Sequence, residues 1–511
     1  MKASTLRRFL SLHTWVGLLS GMALFIAFYA GAITVFHHEI ADWNRSGAAA
    51  TMPDDPLQRS QTLLDTLLAQ HPQAAESTYL VLPGEHGPQP SAYWFESATG
   101  QSHRYLLKPH DGLTQDPFGR GFIEFVYDLH FTAGLPKAFG TYLFGVVCLL
   151  YGLALVSGVV IYAPTLVKNL FALRLGKNIK RLWQDAHTAI GMLSLPFHVI
   201  FAWSGAVLTL GLVLLMPFQH LVYDGKLLSL VERDFYGAPQ VVAANEPADL
   251  LPVRELLRRS KDVMPDMEVE GIWLTNAGDT HARATLYGTM QQRRLNQSGS
   301  LTLNASTGDV VDAVAPDTMT PGMTMLRGLQ TLHFGNFGRD AVKWLYFVLS
   351  LAGAFLFYSG NLLWIETRRK RRQTTQPVRT RVMAALTLGV CLGCIAGVST
   401  VFITGALAPQ AAVAPAYLTT FLACVLWAFL RRPAHAAHEL LWLCALATAA
   451  IPLADWIGSG EHLLAAAWHG HWHRFGVDAV AWLLALAYAR MARATLHRGR
   501  HGDPNSLWAL H

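Results

Sequence analysis

Histidines occupy matching positions in two similar segments of this chain. His13 and His187 each open a segment of 23 residues, and eight of the aligned positions are identical. His130 and His333 each stand inside the tripeptide Leu-His-Phe, shortly before a further apolar run. Paired imidazoles are common axial ligands of haem iron, and two of them leave no position for oxygen, which suits electron transfer.

The repeated order of these histidines predicts how they pair. Two halves packed about a pseudo-twofold axis along the membrane normal would bring His13 near His187 and His130 near His333. We therefore predict haem iron at two sites, one near each membrane face, held through these four ligands. Zinc or copper is the competing interpretation, because imidazole suits those metals as well.

Small residues after the first two ligands favour a flat group beside them. Gly17 and Gly191 each follow a histidine by four residues, so each lies on the same helix face as its histidine. A missing side chain at that position leaves space for a flat ring. The series of small residues continues with Ser20, Gly21 and Ser194.

Three further histidines are weaker candidates. His198 comes 11 residues after His187, about 16 Å further along a helix. At that mid-membrane depth an ionisable residue is often functional, so His198 either ligates a haem in place of His187 or is hydrogen-bonded in the core. His37 and His38 are expected at the outer face, as interfacial polar residues or as ligands or propionate contacts.

The composition is that of a membrane protein. Of the 511 residues, 52% are hydrophobic and 14% are charged, whereas a soluble domain carries about 25% charged residues. A transmembrane helix needs about 20 apolar residues, and the first run is too long for a signal peptide. Eight apolar runs are candidate spans, of which the sixth and eighth are short: 16–36, 139–162, 188–218, 342–365, 383–407, 416–430, 440–457 and 477–491.

Lysines and arginines predict the orientation of these runs. Positive residues favour the cytoplasmic side of a membrane. Both termini are therefore predicted to be cytoplasmic, and the polar segments 40–125 and 220–330 to be external. The basic residues sit in short loops rather than in one stripe, so no nucleic-acid partner is expected. When the spans alternate, every basic cluster falls on one side: 7–8, 168–181, 368–372, 431–432 and 490–500.

Each external segment has the pattern of a small α+β domain. A helix-like stretch comes first, at 57–70 or at 253–263, and strand-like runs follow it. The sequence thus predicts a membrane α-helical bundle with about eight transmembrane helices, internally duplicated, plus two external α+β domains. The strand-like runs are 79–82 and 93–95 in the first segment, and 270–274, 282–287 and 300–304 in the second.

Several of these motifs resemble those of the PepSY-associated transmembrane family, in family order over about 5–370. They are L-H-T-W-V-G-x-x-x-G at 12–21, A-H-T-x-x-G at 186–191, and Leu-His-Phe at 129–131 and 332–334. The resemblance implies PepSY-like periplasmic domains, two haem b groups and a place in the bacterial inner membrane. It implies a ferric-siderophore (ferric-chelate) reductase of iron uptake, passing electrons across the membrane to a periplasmic ferric siderophore or other iron chelate.

On this interpretation the chain divides into six regions. They are transmembrane helix 1 (1–40), PepSY-like domain 1 (41–125), transmembrane helices 2–3 (126–218), PepSY-like domain 2 (219–330), transmembrane helix 4 (331–372) and a C-terminal extension with about four transmembrane helices (373–511).

The C-terminal extension carries two motifs of its own. The run Trp-His-Gly-His-Trp-His at 468–473 is either an aromatic-belt anchor, which we favour, or a site for a metal ion or quinone head group. Cys391 and Cys394 form a C-x-x-C inside an apolar run, where we expect small packing residues rather than a redox pair.

The sequence is compatible with more than one electron donor and more than one class of function. No nucleotide or flavin motif occurs in the sequence, so a membrane quinol or a separate redox protein is the expected donor. The alternative class is a PepSY-domain membrane binding or regulatory protein without redox activity. A transporter built on a repeat ranks below both, because acidic residues are nearly absent from the spans.

Overall fold

The computed structural model describes most of the chain. Five of the predicted basic loop residues lie outside the described part: Lys168, Arg174, Lys177, Arg371 and Arg372. The described residues are 3–44, 55–84, 89–96, 101–107, 112–116, 121–165, 179–239, 241–290, 295–370, 373, 375–408 and 410–510.

The chain forms two compact units, one helical and one built on a sheet. The helical unit comprises Met1–Gly47, Arg120–Gly211 and Gly338–His511, and the other unit comprises Ala48–Gly119 and Leu212–Phe337. In chain order the described helices are α1 (Ala3–Thr34), α2 (His37–Asn44), α3 (Pro56–Gln70), α4 (Phe122–Thr132), α5 (Lys137–Tyr162), α6 (Ile179–Leu193), α7 (Leu195–Leu221), α8 (Leu227–Tyr236), α9 (Val253–Val263), α10 (Pro321–Phe334), α11 (Arg339–Arg368), α12 (Val378–Leu407), α13 (Val413–Leu430), α14 (Pro433–Ala449), α15 (Ile451–Ser459), α16 (Leu463–His469) and α17 (Trp472–His501).

Eight helical stretches of the described chain are long and apolar enough to cross a membrane. This confirms the eight predicted spans, and the protein is a multi-pass membrane protein. The predicted eighth span was short at 477–491, whereas α17 has 30 residues. The stretches are Ala3–Thr34, Lys137–Tyr162, Leu195–Leu221, Asp340–Arg368, Val378–Leu407, Val413–Leu430, Pro433–Ser459 and Trp472–His501.

Helix α1 is central to the helical unit. It packs against α4, α5, α11 and α12, and eleven of its residues are buried. The third predicted span, by contrast, is not one continuous helix. It divides at Ser194 into α6 and α7, because Pro196 near the start of α7 lacks the N–H that would continue the helical hydrogen bonding.

The second unit contains an eight-stranded antiparallel sheet with the order β4-β3-β2-β1-β5-β6-β7-β8. Helix α3 precedes the first four strands and α9 precedes the last four. The strands are β1 (Ser77–Val81), β2 (Ser91–Glu96), β3 (Gln101–Leu107), β4 (Leu113–Asp116), β5 (Met267–Thr275), β6 (Arg283–Met290), β7 (Ser298–Asn304) and β8 (Val310–Val314).

The two groups of four strands join through β1 and β5, which pair in the register Ser77 with Thr275 to Val81 with Gly271. The sequence predicted two external domains, and in the structure their strands form one sheet. Paired strands must lie on the same side of a membrane. Two of the eight candidate spans lie between β1 and β5, and two crossings return the chain to the side from which it started. The internal duplication and the number of PepSY-like domains stay predictions.

Apolar residues of α3 and α9 form a core with the sheet. Leu63 and Leu67 of α3 and Leu256 of α9 are almost completely buried, in one cluster with Leu80 and Ile272 of the central strands. Amphipathic helices bury one apolar face in this way. All five strand-like runs and both helix-like stretches of the prediction form those elements, whereas β3, β4 and β8 were not predicted.

Candidate functional site

The structure brings His13 and His187 together in the helical unit. His13 lies on α1 and His187 on α6, and their ring centroids are 6.2 Å apart with the ring planes at 80°. Both side chains are half-buried. The two imidazoles predicted to pair from the repeat are therefore neighbours.

Each of these imidazoles is oriented by a backbone carbonyl of a neighbouring helix. His13 Nδ1 donates to the Ala154 carbonyl oxygen of α5, 2.9 Å away. His187 Nδ1 donates to the Leu356 carbonyl oxygen of α11, 3.1 Å away. A donating Nδ1–H fixes the tautomer with an unprotonated Nε2, and metal-binding histidines are commonly held in this way.

A glycine lies against each imidazole, four residues after the carbonyl that orients it. A Cβ at Gly158 would lie 3.1 Å from His13 Cε1, and a Cβ at Gly360 would lie 3.1 Å from His187 Cε1. Ser157 and Ser359 precede the two glycines. Ser359 Oγ donates to the Leu356 carbonyl at 2.9 Å. Ser157 Oγ shares its hydrogen between the Leu153 carbonyl at 2.8 Å and the Ala154 carbonyl at 3.0 Å.

A cavity of about 580 Å³ opens beside the two imidazoles. This volume lies within the range of about 300–1,000 Å³ that is usual for ligand and cofactor sites. Gly17 and Gly191, which the sequence predicted to clear space for a flat ring, both line it. Its walls are mainly apolar side chains of α1, α5, α6, α7 and α11, and Arg7 and Arg368 lie among the lining residues.

These residues fit a haem. The ring centroids of His13 and His187 are 6.2 Å apart, and their unprotonated Nε2 atoms are available, so the two imidazoles would be able to hold one haem iron together. The apolar walls suit a macrocycle, and the two arginines suit its carboxylates.

Asn361 gives a second indication that the cavity binds a group with a polar edge. Its side chain is 2% exposed, it lines the cavity, and its Nδ2 has no hydrogen-bond partner among the described residues. A buried amide donor without a partner is costly. An acceptor on a bound group would satisfy it.

His130 is held in the same manner as the first pair. It lies in the last turn of α4, and its Nδ1 donates to the Ala27 carbonyl oxygen of α1 at 2.7 Å. Gly31, four residues after Ala27, packs on the ring. Burial lowers the pKa of His130, partly offset by the Ala27 hydrogen bond. The imidazole is therefore neutral at pH 7, the form that binds metal.

His333 lies in the last turn of α10, with its ring centroid 5.4 Å from that of Phe334. It belongs to the sheet-containing unit, whereas His130 belongs to the helical unit. The pairing of His130 with His333 stays a prediction.

His198 uses both of its ring nitrogens within the protein. The Tyr151 hydroxyl donates to Nδ1, and Nε2 donates to Ser194 Oγ at 3.0 Å. The side chain is completely buried. Of the two interpretations left open by the sequence, this arrangement fits the hydrogen-bonded core residue, because no nitrogen is left for iron.

The remaining candidates take polar roles in the helical unit. His37 Nε2 is 2.8 Å from Glu124 Oε1, and the His37 and His38 ring centroids are 5.4 Å apart. This fits the interfacial interpretation of His37.

Cys391 and Cys394 are buried and free in α12, which fits the packing interpretation.

The carbonyl and glycine partners of the histidines were not predicted from the sequence. A signal for them exists, because Ser-Gly occurs at 157–158 and again at 359–360. Ser157 lies 27 residues after His130, and Ser359 lies 26 residues after His333, so the two spacings differ by one residue. Aligning the second and fourth spans would therefore have marked Ser157 and Ser359 as equivalent.

Comparison with known proteins finds similarity over the part of the chain that contains the four predicted haem ligands. Residues 10–367 match the family described as the PepSY-associated TM region. The uncharacterized protein PA4219 of Pseudomonas aeruginosa is 24% identical over 303 residues, which are 56% of this chain and 73% of that protein. The match to the family takes in all four predicted haem ligands and both groups of sheet strands. The chain therefore belongs to the family of proteins with the PepSY-associated TM region.

Proposed function

We propose that this protein is a haem-containing oxidoreductase that passes electrons across the bacterial inner membrane to a periplasmic ferric siderophore or other iron chelate. The observation that carries the proposal is the His13–His187 pair, with its centroid separation of 6.2 Å and the adjoining cavity. Haem b, with one group at this pair and a second at His130, is the proposed cofactor. Bound there, it supplies one-electron transfer between ferric and ferrous iron.

Haem explains the site better than zinc or copper does. A structural zinc site needs four ligands and a catalytic one needs three. Within the described residues, the one group of three or more clustered metal-ligating side chains does not include His13 or His187. A small ion also gives no reason for an apolar cavity of about 580 Å³.

The protein's own residues would hold, insulate and orient the group. The Ala154 and Leu356 carbonyls keep both Nε2 atoms unprotonated, and the close-packed Gly158 and Gly360 restrict rotation of the rings. Arg7 is available to the carboxylates. The apolar walls limit the access of water and lower the local dielectric constant, and both of these set the reduction potential of the bound group.

The spacing of the ligands along α1 suits transfer across a membrane. His13 and Ala27, which orients His130, are 14 residues apart, or about 21 Å along a helix. The apolar core of a bilayer is about 30 Å thick. Aromatic rings connect the two sites: Phe28 follows Ala27, and its ring centroid is 5.2 Å from that of Phe357 and 5.9 Å from that of Tyr151. Phe357 and Tyr151 both line the cavity beside His13.

The direction of transfer follows from the predicted topology and from the chemistry of iron. A quinol or a separate redox protein would reduce the His13–His187 site, since the sequence contains no nucleotide-binding motif. The chelate would accept the electron on the opposite side. Reduction promotes release, because Fe²⁺ binds hard-oxygen chelators far more weakly than Fe³⁺ does.

The deciding experiment is an absorption spectrum of the detergent-purified chain, oxidised and dithionite-reduced, with the ratio of haem to protein. We expect the sharp reduced bands of six-coordinate haem b, at about two haems per chain. His13→Ala and His187→Ala should each remove about half of the signal. His198→Ala is the matched control and should retain it.

A colourless protein from cells with ample haem would refute the proposal. The regulatory class, in which PepSY-like domains bind other proteins, would then be the better explanation. Full haem content in both His13→Ala and His187→Ala would instead show that the ligands are misassigned.

A further inference from the structure

A cluster of two histidines and one carboxylate lies in the C-terminal extension, outside the residues that match the family. Glu461, His469 and His471 place their ligand atoms within 4.8 Å of one another. His469 Nδ1 is 2.7 Å from Glu461 Oε1, and His471 Nδ1 is 2.8 Å from Glu461 Oε2. Two imidazoles therefore converge on one carboxylate.

The local backbone explains the convergence. His462 caps the start of helix α16, because its side chain accepts a hydrogen bond from the Ala465 backbone N–H. It ends at Gly470, whose φ of +78° is readily adopted only by glycine. The chain reverses there, so His469 and His471, on either side of the glycine, face the same carboxylate.

The carboxylate itself is held in place. The Glu461 side chain is 13% exposed, and Arg474 Nη1 lies 3.1 Å from its Oε2. Arg474 is in turn fixed by the Trp43 carbonyl oxygen at 3.0 Å and by Asp455 at 3.4 Å. A carboxylate that binds metal usually has a second hydrogen-bonding partner of this kind.

The charge around the cluster suits a cation. The Glu461 carboxylate lies beside both imidazoles and supplies the anionic oxygen ligand for such an ion.

The cluster is also open to solvent on one side. The side chains of His469 and His471 are 57% and 56% exposed. An ion can therefore enter and keep water in its remaining coordination positions. Trp468 and Trp472 are exposed on either side, as expected for residues at the membrane interface.

We propose that Glu461, His469 and His471 bind one divalent first-row transition-metal cation, of the class of Zn²⁺ or Fe²⁺, at the end of the helical unit where α2 lies. Two imidazoles with one carboxylate form a donor set that suits these ions, whereas Mg²⁺ and Ca²⁺ prefer oxygen ligands alone. His473 Nδ1 is 3.1 Å from Asp42 of α2, which locates the cluster at this end. The site does not depend on haem or on the proposed reductase activity.

The test uses the full chain in detergent, with any affinity tag removed and bound metal stripped by a chelator. Titration calorimetry with Zn²⁺ should give about one site per chain, and metal analysis after dialysis should find the same ratio. Zinc is the chosen probe because haem iron does not contribute to its measurement. In the His469→Ala/His471→Ala double variant, Zn²⁺ affinity should fall by at least about 100-fold, more than the loss typical of a changed outer partner.

His473→Ala provides the matched control. The His473 side chain is 56% exposed, like that of His471, and lies two residues further along the chain, but it pairs with Asp42. This variant should bind Zn²⁺ as the unaltered chain does, and Glu461→Gln should weaken binding. An unchanged unfolding temperature in the double variant shows that lost binding is not lost folding.

Two results would overturn the assignment. One is equal Zn²⁺ binding by the unaltered chain and the double variant. The other is displacement of Zn²⁺ by Mg²⁺ at equal concentration, because imidazole donors do not favour Mg²⁺.

Discussion

Gly31→Ala tests whether His130 is a haem ligand held from behind by α1. A Cβ at residue 31 would lie 2.8 Å from both Cε1 and Nδ1 of His130, whereas ordinary contacts begin at 3.4 Å. The ring must therefore move by about 0.6 Å to reach ordinary van der Waals contact. His130 Nδ1 is only 2.7 Å from the Ala27 carbonyl oxygen, so this movement stretches or breaks that hydrogen bond.

The size of the effect follows from the role of the carbonyl. Loss of an outer partner of a metal ligand typically lowers metal affinity by about 10- to 100-fold. We expect the Gly31→Ala protein, purified in detergent, to retain the haem at His13 and His187 and to lose much of the haem at His130. The ratio of haem to protein should fall from about two towards one, and redox titration should show one remaining component.

Gly152→Ala is the matched control, because a Cβ there meets no atom within 4 Å. Both glycines lie inside membrane-spanning helices, and alanine is the better helix former by about 1 kcal/mol. Gly152→Ala should therefore keep both haems. Wild-type haem content and potentials in Gly31→Ala would refute the reasoning, and an equal loss in both variants would point to general helix packing instead.

Three other outcomes follow from the described geometry. His198→Ala should keep the haem spectrum but lower stability by about 1–3 kcal/mol, because the buried Tyr151 hydroxyl loses its acceptor; a lost haem would instead make His198 a ligand. The ring planes of His13 and His187 lie at 80°, so ferric haem there should give the strongly anisotropic low-spin EPR signal of perpendicular imidazoles, and a rhombic signal from both haems would contradict this geometry. Burial would raise the pKa of Asp279, but hydrogen bonds from the backbone N–H groups of His281, Ala244 and Glu246 hold it below its usual value. The contribution of Asp279 to stability is therefore present above about pH 4 and is lost as the pH falls through the lowered pKa. Asp279→Asn should reduce that pH dependence in thermal unfolding followed by circular dichroism.

Local pattern was sufficient for most of the elements. The bounds of α9 match the predicted stretch at 253–263. Pro252 comes directly before this stretch, and its apolar residues recur among charged residues with the period of a helix. Strand β3 was missed, because Gln101–Arg104 is polar and lacks the β-branched residues that mark a strand. The pairing of β1 with β5 was also beyond local pattern, since it joins residues almost 200 positions apart.

The residues of the candidate site, like the elements of the fold, were predicted only in part from the sequence. The repeat brought out His13, His187, His130 and His333, because equivalent positions in two halves carry the same residue type. The repeat could not tell that Tyr151 and Ser194 occupy both nitrogens of His198, since Tyr151 is 47 residues away. The cluster of Glu461, His469 and His471 was visible only as a histidine-rich run, because the position of Glu461 beside the histidines depends on the reversal at Gly470.

The pairing of β1 with β5 also imposes an order on biosynthesis. The chain emerges from the amino terminus, so β1 to β4 are complete before α5 and α7 are made, and β5 follows only after both of these candidate spans. Until then β1 has an open edge, which can pair with other chains. A delay in inserting α5 and α7 would prolong that exposure, so substitutions in these two helices can cause aggregation of the sheet without touching it.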